Sequence, residues 1–526
     1  MQKPLAFPWK KLKTYLCKMT RKYPIGLQSF RSIREGGYVY VDKTEIIHRL
    51  VDTGKYYFLS RPRRFGKSLL IDTIEELFSG NRELFEGLWI QDHWDWKDKN
   101  PVIHFNFAGI GTSELGLRSA IFRALKENAD RLGVVLPDTS YDQQFHELIK
   151  LASVSGKVVI LMDEYDKMII DHLNEPEKLT EHQKIMRTFY SILKGADEYI
   201  RFLLLTGVSR FSKVSIFSDL NNLEDITIGR NFNSLLGITQ QELEENFVPE
   251  LTEFIGEQAN VLEKIKPWYN GYSWGGKETL YNPFSLLSFM KQKEFRNYWF
   301  ATGSPTFLIK GIHAKGEYDF ENVSSNENIL GNFDPINMLS VPLLFQTGYL
   351  TIKSYNENTR TYQLGYPNKE VKDSLLDNLL SAYRGVFPNT SSTETGNLLL
   401  AVLAADINGI ISALNAVIGS IPYDHWQADT ESIFHIITLL TFQKIGVDVQ
   451  TEVHNNKGRC DVLIKTLDYI YVIELKRDGT ALEALEQIIE KNYLQPYEAD
   501  KRQKIALGIS FSSAERRISQ YLVREL

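Results

Sequence analysis

Tyr56-Tyr57-Phe58-Leu59-Ser60-Arg61-Pro62-Arg63-Arg64-Phe65-Gly66-Lys67-Ser68 runs from a short apolar strand pattern, through a basic loop, into an amphipathic helix over 67–79 that Gly80 stops. Strand, basic loop, Gly-Lys-Ser and helix is the context a phosphate loop requires. Free amides and the dipole of a helix N-terminus attract phosphate. Gly66 lets the backbone approach closely, Lys67 would neutralise β- and γ-oxygens, and Ser68 would ligate Mg²⁺. We therefore take Arg61, Pro62, Arg63, Arg64, Phe65, Gly66, Lys67, Ser68 and Leu69 as the candidate nucleotide-contacting stretch. One position departs from G-x-x-x-x-G-K-[ST]: Arg61 stands where the first glycine belongs, which removes a permissive φ > 0 position and adds a cation. Pro62 stiffens the loop further. By itself the motif is weak, since a helix start with surface charge would look similar.

On the C-terminal side of this stretch, Val102–Phe107, Val158–Met162 and Phe202–Thr206 are further short apolar runs separated by helical patterns. Continuous apolar runs suit strands covered on both faces, and strands alternating with helices imply a three-layer α/β domain with a parallel sheet. Val158–Met162 ends in Asp163-Glu164, which puts two carboxylates at a strand's C-terminal end, where open α/β sheets bind ligands. Asp163 is a candidate Mg²⁺ ligand and Glu164 a candidate base for the attacking water. Thr206 and Ser209 are candidates to sense the γ-phosphate. Arg210 reads either as an arginine finger, which matters only if subunits meet there, or as a surface arginine. Tyr38–Val41 reads as a short strand, and Asp42-Lys43-Thr44 as a turn opening a helix.

These stretches resemble the bacterial AAA-ATPase-like family. The resemblance is carried by Ser60–Ser68, Tyr40–Thr44, Leu161–Asp166 and Thr206–Phe211, and continues through Phe217–Leu223 and Trp268–Tyr272, over about 23–300. In that family the loop also lacks its first glycine. The resemblance implies an ATP-binding, ATP-hydrolysing domain that uses Mg²⁺.

A second site lies near the C-terminus. Asp461–Thr466 and Tyr469–Lys476 are strand patterns with only Leu467-Asp468 between them, so they should pair as a hairpin. Counting back from 466 opposite 469 puts Asp461 opposite Glu474, with Cβ atoms about 5 Å apart and Lys476 on the same face. Two facing carboxylates cost roughly 3 kcal/mol at an effective dielectric near 20. A divalent cation held by Asp461, Glu474 and a backbone carbonyl would reverse that sign. Lys476 could then position water or stabilise charge at a phosphate. Leu-Asp is not a favoured hairpin dipeptide, and a three-residue loop would shift the register. Cys460 should point to the opposite face as a core thiol.

Asp-x(n)-Glu-x-Lys on a hairpin resembles the core of the PD-(D/E)XK nuclease family, over about 425–510. That resemblance implies that Glu431, on a helix over 430–442, is the family's helical acid, and that Gln487, on a helix over 481–493, supports the site. It favours DNA as the target without establishing it.

The rest of the chain bounds these readings. At 526 residues, roughly 150 per domain suggests three or four domains. The expected order is a tail over 1–22, a P-loop AAA-like ATPase domain over 23–240, and a helical or winged-helix-like lid region over 241–390. A helical connector over 391–424 and a restriction-endonuclease-like α/β domain over 425–526 follow, the latter reading helix, strand, strand, helix, strand, helix. Trp268, Tyr269, Tyr272 and Trp274 read either as base-stacking platforms or as the core of the lid. A net charge of −6 excludes a global basic field, so any nucleic-acid site must be a local patch. Two cysteines, Cys17 and Cys460, supply neither a disulfide framework nor a zinc module, and the histidines show no HExxH spacing. The lysine-rich first residues do not form a signal peptide, and no run of about 18 apolar residues could span a membrane. The expectation is a cytoplasmic ATP- and Mg²⁺-dependent enzyme acting on nucleic acid, able to form homo-oligomers. The rivals are a regulatory or signalling NTPase whose nuclease-like domain only binds, and a nuclease whose N-terminal domain holds nucleotide without turnover.

Overall fold

The computed structural model describes residues 21–109, 116–173, 175–210, 220, 222–257, 261–275, 277–299, 306–331, 339–386, 392–422, 430–454 and 458–526. The chain divides into two compact units, Met1–Ala301 with Phe320–Glu370, and Thr302–Asp319 with Val371–Leu526. Residues 241–390 are thus shared between them. Among the described residues no helix is long and apolar enough to cross a membrane.

The first unit is built on five parallel strands, β1 (Tyr56–Ser60), β2 (Val102–Asn106), β3 (Val158–Asp163), β4 (Ile200–Gly207) and β5 (Glu224–Asp225), in the order β2-β3-β4-β1-β5. The apolar runs alternate between two covered faces. Tyr57, Leu59, Val159, Leu161, Phe202 and Leu204 pack on Leu70, Ile71, Ile74 and Leu77 of the Lys67–Phe78 helix. On the other face Phe105 meets Phe145 and Phe189 edge-on, at 5.4 and 5.3 Å, from the Tyr141–Ala152 and Pro176–Gly195 helices. Each such fully buried side chain contributes about 1.5–3 kcal/mol. The strand order decides the site: β4 lies between β1 and β3, so the phosphate loop and the acidic end of β3 stand two strand spacings apart, about 10 Å. A second sheet of β6 (Val323–Asn326), β7 (Thr351–Asn356) and β8 (Thr361–Gly365) is antiparallel in the order β6-β8-β7.

Tyr38–Val41 does not form the expected strand. Tyr38 makes one isolated bridge to Lys22, and Asp42 Oδ1 accepts from Thr44 N at 2.8 Å where the next helix begins.

The second unit carries a five-stranded sheet flanked by the Thr430–Gln443 and Ala481–Glu490 helices. Its strands are β9 (Asp448–His454), β10 (Arg459–Lys465), β11 (Tyr469–Arg477), β12 (Gln503–Ser512) and β13 (Arg517–Glu525), in the order β13-β12-β11-β10-β9. Only β11 and β12 run parallel. The helix expected after β12 is instead β13, paired antiparallel to β12. Its aromatic and aliphatic residues Tyr521, Leu522 and Val523 suit a strand at a sheet edge, and strand pairing overrides a helical reading of so short a segment. Strand β9 was not expected, although Val449, Thr451 and Val453 alternate.

The Ala481–Glu490 helix lies close on β12 because Gly508 has no side chain. A Cβ there would overlap the Ala481 carbonyl oxygen and lie 2.7 Å from Leu485 N. Backbone atoms cannot turn aside, so Gly508→Ala should destabilise the protein by about 1–3 kcal/mol in chemical denaturation. An unchanged midpoint would show that the helix does not need this approach.

Candidate functional site

Each unit gathers charged side chains on its sheet, at strand ends in the first and within the β10–β11 hairpin in the second. In the first, β1 runs into the loop through Arg61 N, which donates to Gly207 O at 3.1 Å. The helix beyond starts at Lys67, with Gly66 at φ +94° as its cap and Ser68 half-buried in its first turn. Leu69 packs on the core of the unit, so only its backbone is at hand for a ligand. Lys67 is buried, and its Nζ donates to Arg61 O at 2.9 Å and Pro62 O at 3.1 Å. Burial pushes the ammonium below its ordinary range, opposed by the charges of Asp163, Glu164 and Asp166.

At the end of β3, Asp163 is buried and its Oδ1 accepts from Thr206 Oγ1 at 2.5 Å and from Glu164 N at 3.0 Å. Thr206 sits on the intervening β4, as the strand order requires. Glu164 takes a left-handed backbone, φ +51°, a conformation that costs a non-glycine residue about 1–2 kcal/mol. Burial raises its carboxyl above the usual range, with Lys67 pulling the other way. Lys67, Asp163, Glu164 and Thr206 are thus brought together. The buried ammonium and the carboxylates suit a nucleotide phosphate and a hard cation.

Two expected contacts fall elsewhere. The Arg61 guanidinium turns from the loop into the protein, where NH1 donates to Thr227 O at 2.8 Å and Ser60 O at 2.9 Å. The Arg210 guanidinium is ion-paired with Asp225 of its own chain, and Arg210 N donates to Gln346 Oε1 at 2.9 Å. Tyr269, Tyr272 and Trp274 are buried, so they form core rather than a base-stacking surface. Phe211 and most of Phe217–Leu223, which carried part of the resemblance, lie outside the described residues. Asp166 is a residue that local reading missed. It is buried, and its Oδ2 accepts from Val208 N at 3.0 Å and Ser209 N at 2.5 Å, pinning the loop after β4.

In the second unit the hairpin has the counted register: Val462 pairs with Ile473 and Lys465 with Ile470, which sets Asp461 opposite Glu474. Leu467-Asp468 makes the turn without positive φ, because Thr466 Oγ1 accepts from Tyr469 N at 2.9 Å and Asp468 N at 3.3 Å. Both acids are buried. Asp461 Oδ2 accepts from Leu475 N at 2.7 Å. Glu474 Oε1 accepts from Gln487 Nε2, while its buried Oε2 has no hydrogen-bond partner among the described residues. Gln487 Oε1 in turn accepts from Lys476 Nζ at 2.6 Å, and Lys476 Nζ stands 3.6 Å from Glu474 Oε1.

Burial, then the charge of Asp461, pushes Glu474 up to about 7 against the pull of Lys476. Burial also raises Asp461, against its Leu475 hydrogen bond and the charges of His435, Lys476 and Arg459. Cys460 is buried on the opposite face and is pushed up to about 12. A facing pair of buried acids, both with raised carboxyls and one with an unpartnered oxygen, fits a divalent cation. Glu431 lies on the Thr430–Gln443 helix, but its side chain is outside the described residues. Among those, no three His, Cys, Asp or Glu side chains gather around one point.

Sequence reading missed three neighbours of this pair. Tyr493 O–H donates to Arg459 O at 2.7 Å and stands 3.5 Å from Gln487 Nε2. His435 lies one helical turn beyond Glu431, with Nε2 3.8 Å from Glu452 Oε1. Glu452 also meets Arg459 at 3.3 Å. Only the i, i+4 spacing of Glu431 and His435 could have flagged any of them.

Below about pH 4.5 Glu474 is protonated in both folded and unfolded chains, and above about pH 7 in neither. Stability is therefore lost as pH rises through that window, on the order of 3 kcal/mol for this group without metal. Glu474→Gln should remove that share: in urea denaturation with EDTA, its stability relative to wild type should be greater at about pH 7.5 than at about pH 5. An equal difference at both pH values would contradict the burial argument.

Residues 24–217 match the family described as "Predicted AAA-ATPase", and residues 429–521 match the PD-(D/E)XK nuclease superfamily. Over 522 residues the chain is 38% identical to "Uncharacterized protein in vnfD 5'region" of Azotobacter chroococcum mcd 1, an alignment covering 96% of this chain and 99% of that protein.

Proposed function

The chain belongs to the AAA-ATPase-like family and carries a C-terminal domain of the PD-(D/E)XK nuclease superfamily, and from that premise we propose that it hydrolyses ATP and cleaves nucleic acid, DNA before RNA. At the first site Lys67 neutralises the β- and γ-phosphates, Ser68 and Asp163 hold Mg²⁺, and Glu164 takes a proton from the attacking water. Thr206, bonded to Asp163, reports whether the γ-phosphate is present. At the second site Asp461, Glu474 and a backbone carbonyl would hold a divalent cation, which when bound supplies charge for the scissile phosphate and an activated water. Lys476 stabilises charge at that phosphate, and Gln487 orients Lys476 and Glu474 together.

The observation that carries this reading is the buried Glu474, whose one oxygen is fixed by Gln487 while the other has no partner among the described residues. Buried polar atoms are usually hydrogen-bonded, and here the unpartnered oxygen belongs to an acid that stands opposite a second buried acid, Asp461. The second reading is a regulatory NTPase whose nuclease-like domain only binds.

Plasmid and single-stranded DNA incubated with Mg²⁺ or Mn²⁺, with and without ATP, separate the two. Cleavage lost by at least about a hundredfold in Lys476→Ala and Asp461→Ala is the expected result. Glu164→Gln should abolish ATP turnover, and cleavage that survives it would make the nuclease independent of hydrolysis. No cleavage by wild type with either ion would leave the second reading standing and remove the first.

A further inference from the structure

Every residue of the phosphate loop from Arg61 to Phe65 is gripped by a residue far downstream in the first unit. The Arg61 guanidinium lies over the Trp274 ring, 4.1 Å from its centre. Pro62 abuts Gly348, where a Cβ would come within 2.7 Å of Pro62 Cβ and Cγ and where φ is +90°. Trp299 Nε1 donates to Arg63 O at 3.2 Å. Arg64 lays its guanidinium over Phe284 at 4.5 Å. Phe65 meets Tyr272 and Trp274 edge-on at 4.8 and 5.1 Å.

Two features exceed what packing alone requires. Arg61 is only 1% exposed, its Nε has no partner among the described residues, and its contacts are carbonyls and a ring face. An apolar residue would fill that space at lower cost, because a buried cation loses its hydration. Arg64 takes φ +70°, a conformation glycine adopts without strain. The sharp turning that a first glycine would allow is thus made at Arg64 and Gly66, and Arg61 is left as an anchor. That anchor matters because the carbonyls of Arg61 and Pro62 are the ones that hold Lys67 Nζ. Whatever fixes Arg61 and Pro62 therefore fixes the ammonium.

Trp274 is itself tied in two directions. Its N–H donates to Asn233 Oδ1 at 2.9 Å, and its neighbour Ser273 N donates to Thr351 Oγ1 at 2.7 Å on β7. Resting on the reading of residues 61–68 as a nucleotide phosphate loop, we infer that Trp274, with Arg61 stacked on it and Gly348 packed against Pro62, positions Lys67 for the phosphates. ATP affinity is then coupled to the order of the 268–275 and 340–350 segments, and by linkage ATP orders those segments in return.

The test uses the full-length protein, ATP with Mg²⁺, and Kd together with the KM and kcat of hydrolysis. Trp274→Leu and Arg61→Lys should each weaken ATP binding about tenfold or more, because a guanidinium stacked on a ring is not replaced by an ammonium. Trp274→Phe keeps a ring face and its Kd should stay within about threefold. Folded Trp274→Leu and Arg61→Lys with wild-type Kd would overturn the inference, as would a loss confined to kcat. Should these variants not fold, hydrogen exchange of wild type decides the matter: ATP should slow exchange in 268–275 and 340–350, and unchanged exchange there overturns the coupling. Wild type that binds no ATP would overturn the phosphate-loop reading itself, whereas wild type that binds while the variants are insensitive removes only this inference.

Discussion

Asp461 and Glu474 face each other because β10 and β11 pair in one register, and the second site follows from that pairing. A single-residue slip would send one acid to the opposite face, with Cys460 or Leu475 in its place. With the register fixed, both carboxylates are buried and repel, so the pair is stable only if it shares protons or takes a cation. The surroundings support one geometry for it. Gln487 reaches Glu474 and Lys476 from a helix that Gly508 allows to lie close, and Tyr493 ties the same region to the β10 backbone.

The first unit solves the opposite problem with the same means. It buries cations, Lys67 and Arg61, at the end of a strand, and has carbonyls and a tryptophan ring receive them. The strand β4 between β1 and β3 sets the spacing in which a phosphate and its metal would lie, and brings Thr206 to Asp163. In both units charge is held where water is scarce, which makes each group responsive to a ligand of opposite sign.

Much of this was legible in the sequence where the signal is local and periodic. The parallel strands followed from uninterrupted apolar runs, and the Asp461–Glu474 register from counting two residues of turn. The turn itself was the doubtful step, and it holds through Thr466, whose hydroxyl replaces the positive φ that Leu467-Asp468 does not adopt. What could not be read depends on partners distant along the chain. Arg61 looked like an extra phosphate ligand because nothing near it in sequence announces Trp274. Asp166 looked like one acid among several, although it pins the loop after β4. The last strand reads as a helix by itself, and its pairing with β12, rather than its own pattern, decides it.

The claim that the Asp461–Glu474 pair is a cation seat is tested most directly by Mn²⁺ binding to full-length protein without nucleotide, followed by electron paramagnetic resonance. The account predicts a bound ion that is lost in Glu474→Gln, while ATP binding at the first site is unchanged. Mn²⁺ bound equally well by wild type and Glu474→Gln, or by neither, would contradict it.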